Sequence, residues 1–496
     1  MGCAPVRGAG VLLHVGSLPS PYGIGSFGDD ARRWVDFLHE AGQGYWQILP
    51  LNPTGYGDSP YQSVSAFAGH PYFIDLDTLC QEGLLERPDY DGICWGKSGK
   101  RIDYGALHGF RHTVLRKAFS RFTDEAALAG FMEANKWFED YGMYMAIRGM
   151  QGGRPWTQWD TPLRMRHTEA MARVRDEFSE EIRYHAFTQY MFYKQWGALR
   201  AYADSKNVRI IGDISIYVSP DSADVWANPH LYQLDENALP IEVAGVPPDG
   251  FSSDGQLWGN PLYDWQVMAE TGYEWWVQRL ETSFLLYDVV RIDHFRGLES
   301  YYAVPYGAAT AAGGRWKPGP GKDFIDTLKR RLPESCFIAE DLGFLTDEVF
   351  ELLRYSGFPG MKLLQYAFDS REPGCYDPYA YPPNSLVYPG THDNDTIKGW
   401  GKNAPRPNVR HAMEYMDICL KSSLPRAMIR LAMQSPAYLA VIQMQDWLSL
   451  GSEARLNTPS TIGGNNWRWR MKKSDMSKRL AGQMSEIAKL YGRTAI

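Results

Sequence analysis

Val289-Val290-Arg291-Ile292-Asp293-His294-Phe295-Arg296-Gly297 opens as a buried strand and ends in charge. Tyr287, Val289 and Val290 suit a pleated, covered surface. Side chains alternate along a strand, so Arg291 and Asp293 share one face. An opposite charge within about 4–6 Å favours the ionised form of a carboxylate. An oriented, ionised carboxylate where a buried strand runs out can act as a nucleophile. The same two residues can equally form a structural ion pair. The stretch alone favours neither reading.

Outward from it, eight stretches carry strand signals: 45–51, 72–76, 208–213, 287–293, 336–340, 361–367, 386–391 and 438–444. Helical periodicity lies between many of them. Residues 30–41 set Ala31, Trp34, Val35, Leu38 and Ala41 on one face, and Gly42 ends the pattern. Asp323 is placed to cap a helix carrying Phe324, Ile325, Leu328 and Leu332. Residues 346–355 predict another helix, with acids in the first turn as the macrodipole prefers and Gly357 as its stop. Strands alternating with helices imply a parallel sheet, and eight of them imply closure. The expected fold class is α/β: a (β/α)8 TIM-type barrel with a helical insertion and long active-site loops.

One catalytic barrel is expected over 1–496. A mainly helical insertion at 77–205 falls between strands 2 and 3, with amphipathic segments at 110–122, 125–147 and 178–203. A loop-rich insertion at 220–286 falls between strands 3 and 4 and supplies an active-site lid. Residues 220–264 read as mostly irregular, and their Phe, Trp and Leu argue against disorder.

Composition narrows the partners. The net charge is −7, with no dense Lys/Arg block, which argues against nucleic acid. The six cysteines are scattered without a CxxC, so a disulfide framework is not expected and a cytoplasmic location fits. The N-terminus lacks a sustained apolar stretch, Val6 stands where a myristoylation signal wants Ser or Thr, and no apolar run approaches about 18 residues; no membrane partner is expected. Seventeen Trp and thirty Tyr supply aromatic faces that suit sugar rings, although a large core uses most such residues.

In such barrels the catalytic groups sit at the C-terminal strand ends. Four predicted strands end in acids, Asp213, Asp293, Glu340 and Asp393, so all four are expected at one mouth. A single acid there is usually a cap or an ion pair, but four together repel unless they are used and compensated. Glycosidic bond cleavage needs two nearby carboxyls in different protonation states; about 5–5.5 Å between them gives a retaining double displacement. Asp293, beside Arg291, is the one expected to stay ionised. Glu340 follows Phe337, Ile338 and Ala339 with no adjacent base, which suits an acid/base. Asp393 would then grip sugar hydroxyls as the ring flattens.

Motifs in order along most of the chain resemble the amylomaltases, the 4-α-glucanotransferases (disproportionating enzymes) of the α-amylase clan. They include Tyr22-Gly23-Ile24-Gly25, Gly57-Asp58-Ser59-Pro60-Tyr61-Gln62, Gly255-Gln256-Leu257-Trp258-Gly259-Asn260-Pro261, Arg291 to Gly297, Ala339-Glu340-Asp341-Leu342-Gly343 and Gly390-Thr391-His392-Asp393-Asn394-Asp395. The resemblance implies transfer of α-1,4-glucan segments from a malto-oligosaccharide donor to the 4-hydroxyl of another glucan or glucose, with retention and without a metal or organic cofactor. Position by position it implies Asp293 as nucleophile, Glu340 as acid/base and Asp393 as transition-state stabiliser. Arg291 and His392 would support charge and hydroxyls, and Asp213 would brace Arg291. Tyr61, Phe251, Gln256, Trp258, His294 and Tyr366 would line glucose subsites. The chain departs from the family at Ser215 (usually proline), His70 (asparagine), Gly250 (often tyrosine) and Ser460 (glycine). None of these removes a catalytic carboxylate, but Gly250 takes a stacking ring from the lid.

Three other readings use the same residues. An α-1,4-glucan hydrolase would employ the same three acids, with water resolving the intermediate. An inert glucan-binding barrel would have no need to crowd them. Asp393-Asn394-Asp395 could be the metal motif of a nucleotide-sugar glycosyltransferase, but no Gly-rich phosphate loop accompanies it, and neither HExxH nor Cys/His spacing supports a zinc site.

Overall fold

A computed structural model describes residues 7–248, 254–343, 345–369 and 377–494. Its strands, in chain order, are β1 (Gly8–Leu12), β2 (Tyr45–Gln47), β3 (Arg209–Ile214), β4 (Glu242–Val246), β5 (Gln256–Pro261), β6 (Val289–Ile292), β7 (Ser300–Pro305), β8 (Arg315–Pro318), β9 (Phe337–Ala339), β10 (Gly360–Leu363), β11 (Ser385–Tyr388) and β12 (Leu439–Gln443). Eight of them close a barrel in the order β1-β12-β11-β10-β9-β6-β3-β2. Its neighbours pair in parallel throughout. Leu12, Ile211, Val289, Ile338, Met361, Leu363, Leu386, Tyr388, Leu439 and Val441 fill the interior. The fold is the expected (β/α)8 barrel.

One of the eight expected strands does not form. Residues 72–76 are not a strand: Pro71–Phe73 is a 3-10 turn, and the helix Leu76–Gln81 follows, capped by Asp75, whose carboxylate accepts the Thr78 N–H. Proline pre-sets the first turn and aspartate satisfies a helix-start donor, so the local chemistry overrides the strand-like aromatic and β-branched side chains of Tyr-Phe-Ile. The vacant place belongs to β1, Gly-Ala-Gly-Val-Leu, buried at all five positions. Small residues hide it as a strand signal, but the packing demands them. A Cβ on Gly10 would lie 2.7 Å from that of Tyr45.

Between β2 and β3 the chain is helical, with Tyr104–Ser120, Glu125–Ala134, Trp137–Met150, Thr168–Glu177 and the 27-residue Ser179–Ser205 as its longer helices. The single segment expected at 125–147 is two helices, parted where Asn135 leaves helical geometry. The helix expected to start at Asp323 is Gly321–Arg331, and Asp323 lies in its first turn, accepting the Tyr273 hydroxyl at 2.7 Å. β10 stops at Leu363, short of the expected 367, and Leu364–Ala367 turns as a helix.

Residues 220–264 are more regular than expected. β4 and β5 join β7 and β8 in an antiparallel sheet ordered β5-β4-β7-β8. β4 pairs with β7, more than fifty residues away in sequence, and no local pattern announces that partner. Gly245 permits the close approach of β5: a Cβ there would lie 2.6 Å from the Gln256 carbonyl oxygen. Gly250 and Phe251 of the expected lid lie outside the described residues.

Gly212 fixes the height of the strand that carries Asp213. A Cβ on it would sit 2.1 Å from the ring of the buried Tyr287. Gly212→Ala is therefore expected to destabilise the protein by about 1–3 kcal/mol, because a well-packed ring cannot yield that far. Urea unfolding should show a lower midpoint with an unchanged slope.

Candidate active site

Strand register assembles the site. Asp213 of β3 pairs with Arg291 of β6, and Ile292 pairs with Ala339 of β9. Asp293 and Glu340 are therefore the next residues out, side by side at the C-terminal mouth. Backbone bonds lock that junction: the Asp293 N–H donates to Ile214 O at 2.9 Å, and the Glu340 N–H to Ile292 O at 3.0 Å. His294 then turns left-handed, with φ +53, and its N–H donates to Glu340 Oε2 at 2.7 Å. The Leu342 N–H donates to the other oxygen, Oε1, at 2.8 Å. A protein-wide barrel thus holds one carboxyl group by two backbone donors.

Arg291 is buried between two carboxylates. Its Nη1 lies 2.7 Å from Asp213 Oδ1, 2.8 Å from Asp213 Oδ2 and 2.9 Å from Asp293 Oδ1. Its Nε faces Met361 Sδ at 3.3 Å. Burial alone would lower the guanidinium pKa, but Asp213 and Asp293 outweigh it and keep the group charged. Asp213 is fully buried, which pushes its own pKa up against the pull of Arg291. Asp293 differs, with a side chain 31% exposed at the mouth.

A continuous polar chain crosses the mouth. The Tyr61 hydroxyl donates to Asp213 Oδ2 at 2.7 Å and meets His392 Nε2 at 3.0 Å. His392 Nε2 is 3.3 Å from Asp393 Oδ2. Loss of water around the Tyr61 hydroxyl, then the Asp213 charge, push its pKa well up, so it stays a phenol donor. Asp393, Asp213 and Asp293 are thereby joined through Tyr61, His392 and Arg291.

Glu340 has the environment of an acid. Burial pushes its pKa up to about 8, and the charge of Asp293 adds to the shift; Arg291 and the two backbone donors oppose it. A carboxyl that holds its proton beside a second carboxyl group is the arrangement that glycosyl chemistry uses. His294 is pushed down to about 4 by burial and is neutral.

Two lid residues reach this centre. Gln256 and Trp258 share one face of β5, with Trp258 Nε1 donating to Gln256 Oε1 at 3.2 Å. Trp258 meets the His294 ring edge-on, with centroids 4.8 Å apart. Tyr366 lies on the helical turn past β10 and is 38% exposed. Phe251 lies outside the described residues.

Three residues had no place in the sequence-based expectation. Asn457 Nδ2 donates to Asp393 Oδ1 at 2.6 Å, and Arg455 Nη2 donates to the Asp393 carbonyl oxygen at 2.5 Å. Trp467 packs beside Tyr61 and His392. All three lie in a stretch with no acid and no strand, so neither charge nor periodicity marks them. The aromatic pair Trp467-Arg468-Trp469 was the one available sign.

The metal-motif reading of Asp393-Asn394-Asp395 finds no support in the geometry. Asp395 Oδ2 accepts from Asn403 and Ser452, and Asn394 Oδ1 accepts from the Thr391 N–H and hydroxyl. These neighbours occupy their oxygens, and among the described residues no group of three or more His, Cys, Asp or Glu is placed to hold a metal ion.

Known proteins place this arrangement. A family model for 4-alpha-glucanotransferase matches residues 13–476. A 4-alpha-glucanotransferase of Streptococcus pneumoniae serotype 4 is 45% identical, over 98% of this chain and 97% of its own. That of Thermus thermophilus is also 45% identical, over 98% and 99% respectively. Among solved structures, an amylomaltase from Streptococcus agalactiae in complex with acarbose superposes with a TM-score of 0.95 at 40% identity, covering 98% of this chain and 100% of its own. The amylomaltase of Corynebacterium glutamicum shares the fold, with a TM-score of 0.78 at 19% identity over 99% and 75%. The chain belongs to the 4-alpha-glucanotransferase family, and its activity is that of an amylomaltase-type 4-alpha-glucanotransferase.

Proposed function

We propose that transfer proceeds by a retaining double displacement through a covalent glycosyl-Asp293 intermediate. The observation that carries this reading is the pairing of Asp293, held by Arg291, with Glu340, whose pKa burial raises to about 8. In the first step an Asp293 oxygen attacks C1 of the donor sugar, the C1–O4 bond breaks, and Glu340 gives its proton to the departing O4. In the second, Glu340 takes a proton from the 4-hydroxyl of an acceptor glucan or glucose. The acceptor oxygen attacks C1 and Asp293 is released. The two inversions give retention.

Asp393 and His392 grip sugar hydroxyls as the ring flattens, and Arg291 balances charge with Asp213 behind it. Tyr61, Gln256, Trp258, His294 and Tyr366 line the glucose subsites, and malto-oligosaccharides are the substrates. The chemistry calls on no metal or organic cofactor. Among the described residues no helix is long and apolar enough to cross a membrane. Cys80, Cys94 and Cys419 form no disulfide among the described residues, which fits a reducing, cytoplasmic setting.

Incubation with maltotriose alone tests the reading. A ladder of longer oligomers with free glucose is the expected product pattern. Only shorter sugars would assign the same acids to hydrolysis, and an unchanged substrate would favour a binding barrel.

A further inference from the structure

His392 is held by a cage of rings. Tyr61 lies parallel to the imidazole, with 5.3 Å between centroids and 11° between planes. Trp467 closes the cage, 6.0 Å from His392 and 5.9 Å from Tyr61, at 40° and 46°. Trp467 itself is buried.

A histidine that presents Nε2 to a reacting centre is ordinarily oriented by a hydrogen bond at Nδ1. His392 Nδ1 is buried and has no hydrogen-bond partner among the described residues. Nε2 faces two, the Tyr61 hydroxyl and Asp393 Oδ2. With one nitrogen shared and the other unanchored, the plane of the ring is set by packing.

The backbone of Trp467 supports the same conclusion. Its φ is +63, the left-handed region, which is costly for a bulky side chain and persists where surrounding structure over-determines it. Two bonds pin it there: its N–H donates to Leu456 O at 2.7 Å, and its carbonyl accepts the Tyr104 hydroxyl at 3.0 Å. The strained turn delivers the indole to the Tyr61–His392 stack.

We propose that Trp467 is a positioning residue for glucan transfer: its indole fixes the plane of His392 and so the direction of Nε2 toward Asp393 and the donor sugar. The proposal rests on the reading of His392 and Asp393 as groups that grip that sugar. Trp467 acts through His392.

The test is steady-state transfer from maltotriose by the full chain. Trp467→Leu should lower kcat by roughly 10- to 100-fold, the scale of a small misplacement near the chemistry. KM should move less than about threefold, because the contacts concerned tighten in the transition state. His392→Ala provides the frame. The double variant should be no slower than His392→Ala alone, since two residues acting through one contact do not add. Trp467→Phe keeps a ring in the cage and should stay within about fivefold of wild type. It carries the same cycle with His392→Ala if urea unfolding shows that Trp467→Leu does not fold. Full kcat in Trp467→Leu, or losses that multiply in the double variant, would overturn the proposal while His392→Ala remains impaired. Full activity in His392→Ala would overturn the underlying reading instead.

Discussion

Asp293→Asn should cut transfer from maltotriose by on the order of 10⁴-fold or more, the scale seen when a covalent nucleophile is removed from a site that still binds substrate. The substitution is nearly isosteric. An amide oxygen can still accept from Arg291 Nη1, now at 2.9 Å from Asp293 Oδ1, and Arg291 keeps both oxygens of Asp213. Ground-state binding is therefore largely preserved, and the loss should fall on kcat. A purely structural ion pair makes the opposite forecast: activity near wild type. Breaking one arm of a buried arginine's pairing is costly only when the charge is left alone, and here Asp213 stays in place. Kinetics and urea unfolding on one variant thus separate the two roles that Arg291 and Asp293 have in isolation. Transfer within tenfold of wild type would remove Asp293 from the nucleophile's position.

What could be read in advance follows from how local each feature is. Asp213, Asp293 and Glu340 sit at or just past the ends of buried apolar runs, so alternation and a barrel's polarity suffice to bring them together. Arg291 and Asp293 are two apart on one strand, and their contact needs no tertiary information. The chain from Asp293 to Asp393 is different. Tyr61 reaches Asp213 and His392 from a loop after β2, and Asn457 reaches Asp393 from a loop after β12; only the closed barrel makes them neighbours. The same distinction explains the misplaced strand. Residues 72–76 have strand-like side chains but a proline and a capping aspartate that impose helical starts. β1 has side chains too small to signal a strand, because Tyr45 occupies the space beside Gly10. The second sheet was hidden for a third reason, since β4 finds its partner β7 on the far side of β6.

Glu340→Gln should slow transfer from maltotriose by roughly 10²- to 10⁴-fold, the range of general acid–base assistance. Its pH dependence carries more information than the size of the loss. The first step needs the protonated carboxyl, and burial holds that proton up to about 8. Wild-type kcat/KM should therefore fall as pH rises through about 8, and this basic limb should vanish in Glu340→Gln. A donor whose leaving group needs no proton, such as α-maltosyl fluoride, should restore the first step in the variant. The second step still lacks its base, so a glycosyl-enzyme should accumulate on Asp293. Stability gives an independent sign. The folded value lies above the ordinary glutamate value of about 4.3, so between the two the folded protein holds a proton that the unfolded chain releases. Wild-type stability should fall with pH across that window, from near the ordinary value to about 8, and the slope should be shallower in Glu340→Gln. The slope is the quantity to compare, because glutamine keeps one acceptor oxygen and puts a donor NH2 in place of the other, so either the His294 or the Leu342 N–H loses its partner, which lowers stability at every pH. A basic limb that survives in Glu340→Gln would assign the proton to another group at the mouth, and of those already described His294, neutral above about 4, titrates too low to supply it.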